Sequence, residues 1–371
     1  MTVVVPTLLA DVGGTLLVRD RPGPFTSAVR TLHARGVALC PERRSTLARA
    51  LLTGADRAAA VDIAAERLRL TSADRSVLAG ALAAPPGRAT LTAGAVELLR
   101  VAADSSWRTI AVTNAVSWSE PLPPELDRHV AQVVSSADVG HLKQEDAFWL
   151  EMCRRTGTTG ARALVVGDSP EADAVAPARH GFCPVLVGER GAYRLGDVAA
   201  WLTAAGTPPT DVLGLAAGRP TIWAGRAVLE VPHLHGLVVT TTRTRVRVAR
   251  SARSAAGGTV VRRRQRPPAL TAPDLPAEGA LLWLRPVEDR RNTRLPTDLV
   301  VLLDRLGLSL DHIPDRDRRH LVSLVREARD RETRRQRLDD IVGFLRGDAS
   351  PADGQRSSTA PEQTPEQRGH Q

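Results

Sequence analysis

Five short apolar segments, separated by stretches in which apolar residues recur at helical spacing, govern what this chain can fold into. Each segment is nearly continuous in Leu, Ile, Val and Ala, which is typical of parallel strands buried on both faces. Strands that alternate with helices predict an α/β fold built on a doubly wound parallel sheet. The segments are residues 7–11, 109–113, 131–135, 163–168 and 184–188.

The texture of the chain predicts two domains and a tail. Residues 1–205 hold all five segments, and residues 20–88 between the first two are rich in Ala, Leu and Arg at helical spacing, which predicts a helical cap over the strand ends. Residues 206–347 contain more Gly, Pro and β-branched residues and predict a smaller α+β domain. Residues 348–371 are rich in Ser, Pro, Gln and Gly and are expected to be disordered.

Basic charge is concentrated in the second half. The formal net charge is +9, yet no acidic residue lies between Glu230 and Asp274. The segment from Arg243 to Arg266 is rich in arginine, which favours nonspecific contact with a polyanion such as nucleic acid. The alternative is a charged edge strand protected from aggregation. The near absence of aromatic residues there argues against sequence-specific RNA recognition.

Other features limit the possible location of the protein. No apolar run approaches the roughly 20 residues of a membrane span. The apolar start lacks a basic segment and is broken by Pro6, so a signal peptide is not expected. Cys40, Cys153 and Cys183 are far apart, which argues against a disulfide framework or a zinc site. We therefore expect a cytoplasmic protein without a membrane partner.

Polar residues stand where three of the predicted strands end. Asp11 ends the first strand and is followed by Gly13 and another glycine, Thr113 ends the second, and Asp168 ends the fourth, with Asp173 five residues later. The carboxyl ends of parallel strands meet at one edge of a sheet, so these residues are expected to form one site. Taken singly, each could also be a turn or a helix N-cap.

Lys143 is the only lysine of the chain, whereas the other 49 of its 50 Lys and Arg residues are arginine. A lysine in such a chain indicates a position that requires a compact ammonium and rejects a planar guanidinium. Chance is the alternative for this residue alone. Its place shortly after the third strand puts it near the predicted site.

Together these motifs resemble those of the haloacid dehalogenase (HAD) superfamily of hydrolases, in order and in spacing. They are Asp11-Val12-Gly13-Gly14-Thr15-Leu16, Thr113-Asn114, Lys143, and Gly167-Asp168-Ser169 with Asp173. The resemblance covers residues 7 to about 204 and implies a HAD-like Rossmannoid fold with a cap. It also implies hydrolysis of a small phosphorylated substrate.

The resemblance assigns the metal site and the nucleophile. Asp11 attacks phosphorus and forms an aspartyl-phosphate, a form of covalent catalysis. Magnesium prefers oxygen ligands, which Asp11, the backbone carbonyl of Gly13 and Asp168 would supply. Asp173 would hold a metal-bound water or orient Lys143.

The resemblance also assigns the phosphate-binding residues. Thr113 and Asn114 would bind the phosphoryl group, and Lys143 would neutralise its charge. Gln144 stands where the family commonly has proline, and we expect this change to matter little.

In the phosphatases of this family, the position that corresponds to Gly13 holds an aspartate that protonates the leaving group. Gly13 therefore departs from their pattern. Three interpretations stay open. The first is a Mg²⁺-dependent phosphatase of weak or restricted activity; the second is a catalytically weak HAD-fold binding or regulatory protein that uses its basic C-terminal region. The third is a dehalogenase-type C–X hydrolase, which explains Gly13 but not the Gly167-Asp168-Ser169 segment.

Three further features of the sequence lie in the second half. Within residues 295–346, the Glu/Arg pattern of residues 327–337 resembles the helical tail of the YdeI/OmpD-associated (bacteriocin-protection) proteins. The alternative is a solvated, ion-paired helix face. Residues 255–258 (AAGG) predict a hairpin turn. His233 and His235 have no acid or cysteine beside them, so no metal site is expected there.

Overall fold

The computed structural model describes most of the chain between residues 5 and 346. The tail at 348–371 and His233 and His235 lie outside the described residues. The described residues are 5–85, 87–189, 191–206, 209, 212, 214–223, 226–231, 243–251, 254–263, 266–285, 295–310, 313, 315–328 and 330–346.

The secondary structure follows the chain in this order. The strands are β1 (Thr7–Asp11), β2 (Leu17–Arg19), β3 (Ala89–Leu91), β4 (Arg108–Thr113), β5 (Gln132–Ser135), β6 (Ala163–Gly167), β7 (Cys183–Leu186), β8 (Gly214–Gly218), β9 (Thr221–Trp223), β10 (Arg226–Glu230), β11 (Arg243–Ser251), β12 (Ser254–Arg263), β13 (Arg266–Thr271) and β14 (Ala280–Arg285). The helices are α1 (Pro24–Ala34), α2 (Pro41–Thr53), α3 (Arg57–Leu68), α4 (Ser72–Ala83), α5 (Ala95–Asp104), α6 (Pro124–Asp127), α7 (Ser136–Val139), α8 (Asp146–Thr156), α9 (Ala176–Arg179), α10 (Leu195–Ala205), α11 (Thr297–Leu306), α12 (Asp315–Arg326) and α13 (Arg331–Arg346). Within the described ranges, none of the helices has the length and apolar character needed to cross a membrane.

The first half folds around a parallel sheet in the order β5-β4-β1-β6-β7. β1 lies at its centre, with Leu9 beside Ile110 of β4 on one side and Val165 of β6 on the other. Strands β4 and β5 therefore extend the sheet on one side of β1, and β6 and β7, which come later in the chain, extend it on the other side. The predicted doubly wound α/β sheet is confirmed.

Both faces of this sheet are covered, which explains the continuous apolar strands. Leu8 and Ala10 belong to a core shared with α5 and α10, whereas Leu9 faces a second core that contains Phe148 and Trp149 of α8. All five of these residues are fully buried. Removing both faces of a strand from water makes each of its apolar side chains contribute to stability.

The predicted cap region contains four helices, α1–α4, inserted between the antiparallel strands β2 and β3. Asp56 and Thr71 cap α3 and α4 by accepting hydrogen bonds from backbone amides in the first turn. The helices bury a core of their own, separate from those of the sheet, which includes Leu32, Leu47 and Leu78. The function of this region as a substrate lid stays a prediction.

The second half contains a seven-stranded sheet in the order β8-β14-β11-β12-β13-β10-β9, whose neighbouring strands are antiparallel. The sheet curls so that β8 approaches β10. One apolar cluster inside the curl joins residues of six strands, among them Ala216, Leu229, Val248, Leu270 and Leu282. A smaller sheet-rich region is thus present, as predicted.

The predicted turn at 255–258 is wrong, because β12 runs straight through these residues and pairs with β11 along its length. Gly258 instead allows a close approach between strands. A Cβ there would overlap the side chain of Val248 and crowd Leu270. Gly258 therefore serves packing inside the curled sheet, a role that the sequence does not distinguish from a turn.

The two sheets share one continuous core. Trp107, just before β4, packs against Trp283 of β14 with ring centroids 5.3 Å apart. The hydroxyl of Tyr193 accepts a hydrogen bond from the Arg219 backbone amide at 2.9 Å, and the Arg219 guanidinium lies 5.7 Å from the Tyr193 ring centroid. A domain boundary at 205/206 stays a prediction, but the residues on its two sides are packed together.

Helices α11–α13 enclose a further small core. Arg334 forms a bidentate ion pair with Asp298 at 2.5 and 2.8 Å and donates to the carbonyl of Val325. Arg337 is only 8% exposed and donates to the carbonyl of Leu324. The last carbonyls of α12 lack helical partners, so these two arginines satisfy groups that the helix leaves open. A wholly solvated arginine face does not form here.

Candidate functional site

The residues predicted to form the site come together at the carboxyl edge of the parallel sheet. Asp11 ends β1, Thr113 ends β4, and Asp168 directly follows β6. Asp173 lies in a π-helical turn, residues 170–175, that starts just after Asp168. Lys143 lies between α7 and α8 and reaches the same edge, which is where ligands bind in open α/β sheets.

Lys143 lies between two carboxylates and is almost completely buried. Its Nζ is 2.5 Å from Oδ1 of Asp11 and 2.5 Å from Oδ1 of Asp173. The side chain is 2% exposed. Burial alone lowers the pKa of Lys143, but the two carboxylates outweigh it and hold the pKa above its usual value. The lysine is therefore charged, as the ion pairs require.

The backbone around Lys143 is fixed from several sides. Its amide donates to Oδ1 of Asn114 at 2.9 Å, and its carbonyl accepts from Nε1 of Trp149 at 2.6 Å. The amide of Leu142 donates to Oε2 of Glu145 at 3.3 Å. Lys143 is thus held by its surroundings at the main chain as well as at the ammonium.

Three carboxylates surround a space in which a cation would fit. Asp11, Asp168 and Asp173 offer oxygen atoms that all lie within 4.8 Å of one another. Oδ2 of Asp11 is buried and has no hydrogen-bond partner among the described residues. A buried carboxylate oxygen without a partner is costly, and a cation beside it would remove that cost. The donor set and the charge fit a divalent cation that prefers oxygen.

Burial and the neighbouring charged groups shift the pKa of Asp11. Burial raises the pKa of Asp11 from 3.8 to about 7. Lys143 opposes this rise, whereas Asp173 and Asp168 add to it. A cation beside these groups would favour the ionised carboxylate.

Asp173 is held as a support for Lys143. One of its oxygens pairs with the ammonium, and the other accepts from the backbone amide of Ser169 at 3.0 Å. Gly167 makes this position possible, because a Cβ there would overlap the Asp173 side chain. Of the two roles predicted for Asp173, orientation of Lys143 has direct contacts in its favour.

Gly13 and Gly14 differ in what they require. Gly14 has φ +90° and lies where a Cβ would overlap the Asp168 carboxylate, so only glycine fits. A Cβ at Gly13 would meet no heavy atom within 4 Å, and its φ is outside the left-handed region. Nothing steric explains the glycine at position 13.

Thr113 and Asn114 occupy different environments. Thr113 is half-buried at the end of β4. Both ends of the Asn114 amide already have partners, since its oxygen accepts from Lys143 and its nitrogen donates to Oε1 of Gln144 at 3.2 Å. The visible contacts of Asn114 position Lys143, and phosphate binding by Thr113 and Asn114 stays a prediction.

Sequence reasoning missed two residues of this region, Trp149 and Glu145, and expected little of a third, Gln144. Trp149 and Glu145 hold the segment that carries Lys143, and Gln144 contacts Asn114. A signal existed for Trp149, because aromatic residues are rare in the chain and this one follows the only lysine by six residues. Glu145 also had a visible place, two residues after the only lysine.

The comparisons with known proteins find resemblance only among solved structures. No family model and no curated protein matches the chain. The chain is similar to the magnesium-bound HAD-hydrolase YfnB of Bacillus subtilis, at 19% identity and a TM-score of 0.30, over 50% of this chain and 87% of that one. A HAD family enzyme of Bacteroides thetaiotaomicron shares 13% identity at a TM-score of 0.38, over 51% of this chain and 97% of its own. A 2-haloacid dehalogenase of Pseudomonas syringae shares 17% identity at a TM-score of 0.31, over 53% and 98%.

These neighbours are HAD-family hydrolases, and the similarity extends over about half of this chain. TM-scores this low carry no argument about function. The fold and the chemistry of this chain are therefore inferred from its own strands and side chains. The resemblance of residues 295–346 to YdeI/OmpD-associated proteins finds no support among these structures.

Proposed function

We propose that the protein is a Mg²⁺-dependent hydrolase of the HAD type that removes a phosphoryl group from a small substrate through a covalent intermediate on Asp11. The observation that carries this proposal is the buried arrangement of Asp11, Lys143 and Asp173, with Nζ 2.5 Å from each carboxylate. A nucleophilic carboxylate beside a fixed ammonium at the carboxyl edge of a sheet suits phosphoryl transfer.

The metal would be held by Asp11 and Asp168, with the backbone carbonyl of Gly13 as a further oxygen ligand. The unpartnered Oδ2 of Asp11 and the clustering of the three carboxylates support this assignment. When bound, magnesium would supply positive charge that stabilises the phosphoryl oxygens in the transition state. Asp173 already has two partners, so we assign it to Lys143 and, at most, to a metal-bound water.

The covalent chemistry belongs to Asp11. A carboxylate oxygen of Asp11 forms a bond to phosphorus while the bond from phosphorus to the leaving oxygen breaks, and the leaving group departs with that electron pair. Water then attacks phosphorus of the aspartyl-phosphate. The P–O bond to Asp11 breaks, the carboxylate is restored, and the phosphate departs with both protons of the water. Lys143 stabilises the negative charge in both steps.

Gly13 restricts which leaving groups are suitable. Without an acid at that position, an alkoxide leaves unprotonated, at a cost of about 10²–10⁴-fold in rate. Aryl phosphates, acyl phosphates and phosphoanhydrides release weaker bases. We therefore expect the protein to prefer substrates of these classes to simple alkyl phosphates.

The two alternatives are weighed by the same geometry. A dehalogenase-type hydrolase needs the nucleophile and the lysine, but it does not explain three carboxylates clustered at one place. A purely binding protein would not need a buried, ion-paired lysine at the strand ends. Contact of residues 243–266 with a polyanion stays a separate proposal, and a steep, log-linear loss of affinity with rising salt would support it.

The deciding experiment measures Mg²⁺-dependent hydrolysis of p-nitrophenyl phosphate and acetyl phosphate by the wild type and by Asp11→Asn. We expect turnover by the wild type that is lost on chelation and abolished in Asp11→Asn, which is nearly isosteric. Asp104→Asn is the matched control, because Asp104 is exposed and its ion-pair partner among the described residues is Arg100 in the same helix. Turnover that survives in Asp11→Asn would remove Asp11 from the role of nucleophile.

A further inference from the structure

Glu145 joins the segment of Lys143 to the cap helices. Its Oε1 lies 2.6 Å from Nη2 of Arg49 in α2, and its Oε2 accepts from the Leu142 amide. The Glu145 amide in turn donates to the Leu142 carbonyl at 2.8 Å. One carboxylate therefore closes the turn that contains Lys143 and also contacts an element 96 residues earlier in the chain.

The cap also contacts the other segment that supports the lysine. The hydroxyl of Ser117 donates to the carbonyls of Gly54 and Ala55, at 3.0 and 3.2 Å, in the loop between α2 and α3. Val116 and Trp118 pack against the cap core. This segment begins with Asn114, which holds the Lys143 amide. The end of α2 and the loop after it thus touch both segments that fix Lys143.

We propose that Glu145 is a positioning residue that couples the placement of the cap to the placement of Lys143. This proposal rests on the proposed function, since the consequence of displacing Lys143 is loss of phosphoryl transfer. When Arg49 pairs with Glu145, the carboxylate is held where it closes the turn around Leu142. When the cap moves away, Glu145 loses that anchor, and the turn that carries the ammonium loosens.

The strength of the Arg49–Glu145 ion pair suits a contact that forms and breaks during turnover. The Arg49 side chain is 47% exposed and that of Glu145 is 20% exposed. Pairs of this exposure shift an equilibrium by only about two- to five-fold. Because they are partly solvated, they also weaken as salt rises. Such a pair biases the position of the cap without fixing it.

Four variants separate the contacts of Glu145. Arg49→Gln and Glu145→Gln both remove the ion pair, while the glutamine at 145 keeps an oxygen that accepts from Leu142. Glu145→Ala removes both contacts and also the pairing of Oε2 with Nδ1 of His141, 3.4 Å away, which His141→Gln tests by itself. The matched control is Arg75→Gln, which breaks the pair of Arg75 with Asp62 inside the cap.

Hydrogen exchange at the Lys143 amide gives a readout that needs no activity. Arg49→Gln and Glu145→Gln are expected to raise exchange at Lys143 by about two- to five-fold, and Glu145→Ala by more, with Arg75→Gln unchanged. The double variant Arg49→Gln/Glu145→Gln should be no worse than either single one. Faster exchange in α2 with unchanged exchange at Lys143 in Arg49→Gln would overturn the coupling.

Kinetics on p-nitrophenyl phosphate add the functional side. Arg49→Gln and Glu145→Gln should lower kcat/KM equally, by about two- to five-fold, and Glu145→Ala should lower kcat further. An effect of Glu145→Gln much larger than the effects of Arg49→Gln and His141→Gln would place Glu145 in contact with the substrate instead. If the wild type hydrolyses nothing, the proposed function fails, and the exchange measurement still decides whether cap and lysine are coupled.

Discussion

At the scale of single residues, Lys143 tests the chemistry most directly. The Lys143→Arg protein keeps the charge but must place a larger, planar group between Asp11 and Asp173, in a position that is 2% exposed. We expect kcat/KM to fall by at least about 10²-fold, because even a small displacement of the phosphoryl group from its reactive position costs a factor of that size in rate. Overpacking should also lower the free energy of unfolding by about 1–3 kcal/mol.

Arg154→Lys is the control for that exchange of residue types. The Arg154 side chain is 72% exposed, and the reverse substitution there should change neither kinetics nor melting temperature. Wild-type kinetics in Lys143→Arg would show that the ammonium has no special task.

Gly13 permits a gain-of-function test. Position 13 has room for a side chain and an ordinary φ, so Gly13→Asp should fold. If the site lacks a general acid because position 13 is glycine, Gly13→Asp should raise the ratio of alkyl to aryl phosphate turnover. The rise should not exceed about 10²–10⁴-fold, the range of general acid catalysis. The measurement is kcat/KM on both substrate types. An unchanged ratio in a folded Gly13→Asp protein would mean that another group protonates the leaving oxygen.

Gly14→Ala should instead destabilise the protein, since its φ and the Asp168 carboxylate both oppose a Cβ.

The raised pKa of Asp11 predicts a pH dependence of stability. Because its pKa rises from 3.8 in the unfolded chain to about 7 when folded, the folded protein binds more protons between these values. Its contribution to stability is therefore complete below about pH 4 and is lost as the pH rises through about 7. Mg²⁺ opposes that loss, so it should raise the melting temperature more at pH 8 than at pH 5.

Asp11→Asn isolates this contribution. The variant should melt higher than the wild type at pH 8 without Mg²⁺, and its melting temperature should respond less to Mg²⁺. Asp104→Asn should behave as the wild type. Equal increments from Mg²⁺ in wild type and Asp11→Asn would place the metal elsewhere.

At the scale of elements, the cap should unfold separately from the sheet. Leu47 is fully buried in a core that belongs to α1–α4 and the loop beside them. Leu47→Ala should destabilise that core by about 2–5 kcal/mol. Hydrogen exchange in residues 24–83 should accelerate while that in β1 and β6 stays slow. Val77→Ala, at a position 36% exposed, is the control. Equal acceleration in the strands would indicate one cooperative unit.

The sequence predicts the parallel strands and the residues at their ends well, because the signals are local. An apolar run followed by a polar residue marks Asp11, Thr113 and Asp168 without knowledge of the fold. The contact of Asn114 with Lys143 joins positions 29 residues apart, and no periodicity reports it. Gly258 was misleading for the same reason: its reason for being glycine is a side chain on another strand.

At the scale of the whole molecule, the shared core makes the first half depend on the second. Trp283 is fully buried against Trp107, in a cluster that also contains residues of α5 and α10. Trp283→Ala should cost about 3–5 kcal/mol and lower the melting temperature. Ile222→Ala, at a position 76% exposed on β9, should have little effect. A small effect of Trp283→Ala would mean that the two sheets are stable independently.

The burial of Lys143 has a consequence for protein chemistry in the laboratory. The chain offers reagents a single side-chain amine, and the folded protein hides it. Acylation at this position, read by mass spectrometry, therefore counts only molecules in which the ammonium has become accessible and has lost its proton. Because the chain has no other lysine, the signal has no background from other lysines. The labelling rate therefore measures how often this one buried nitrogen becomes exposed.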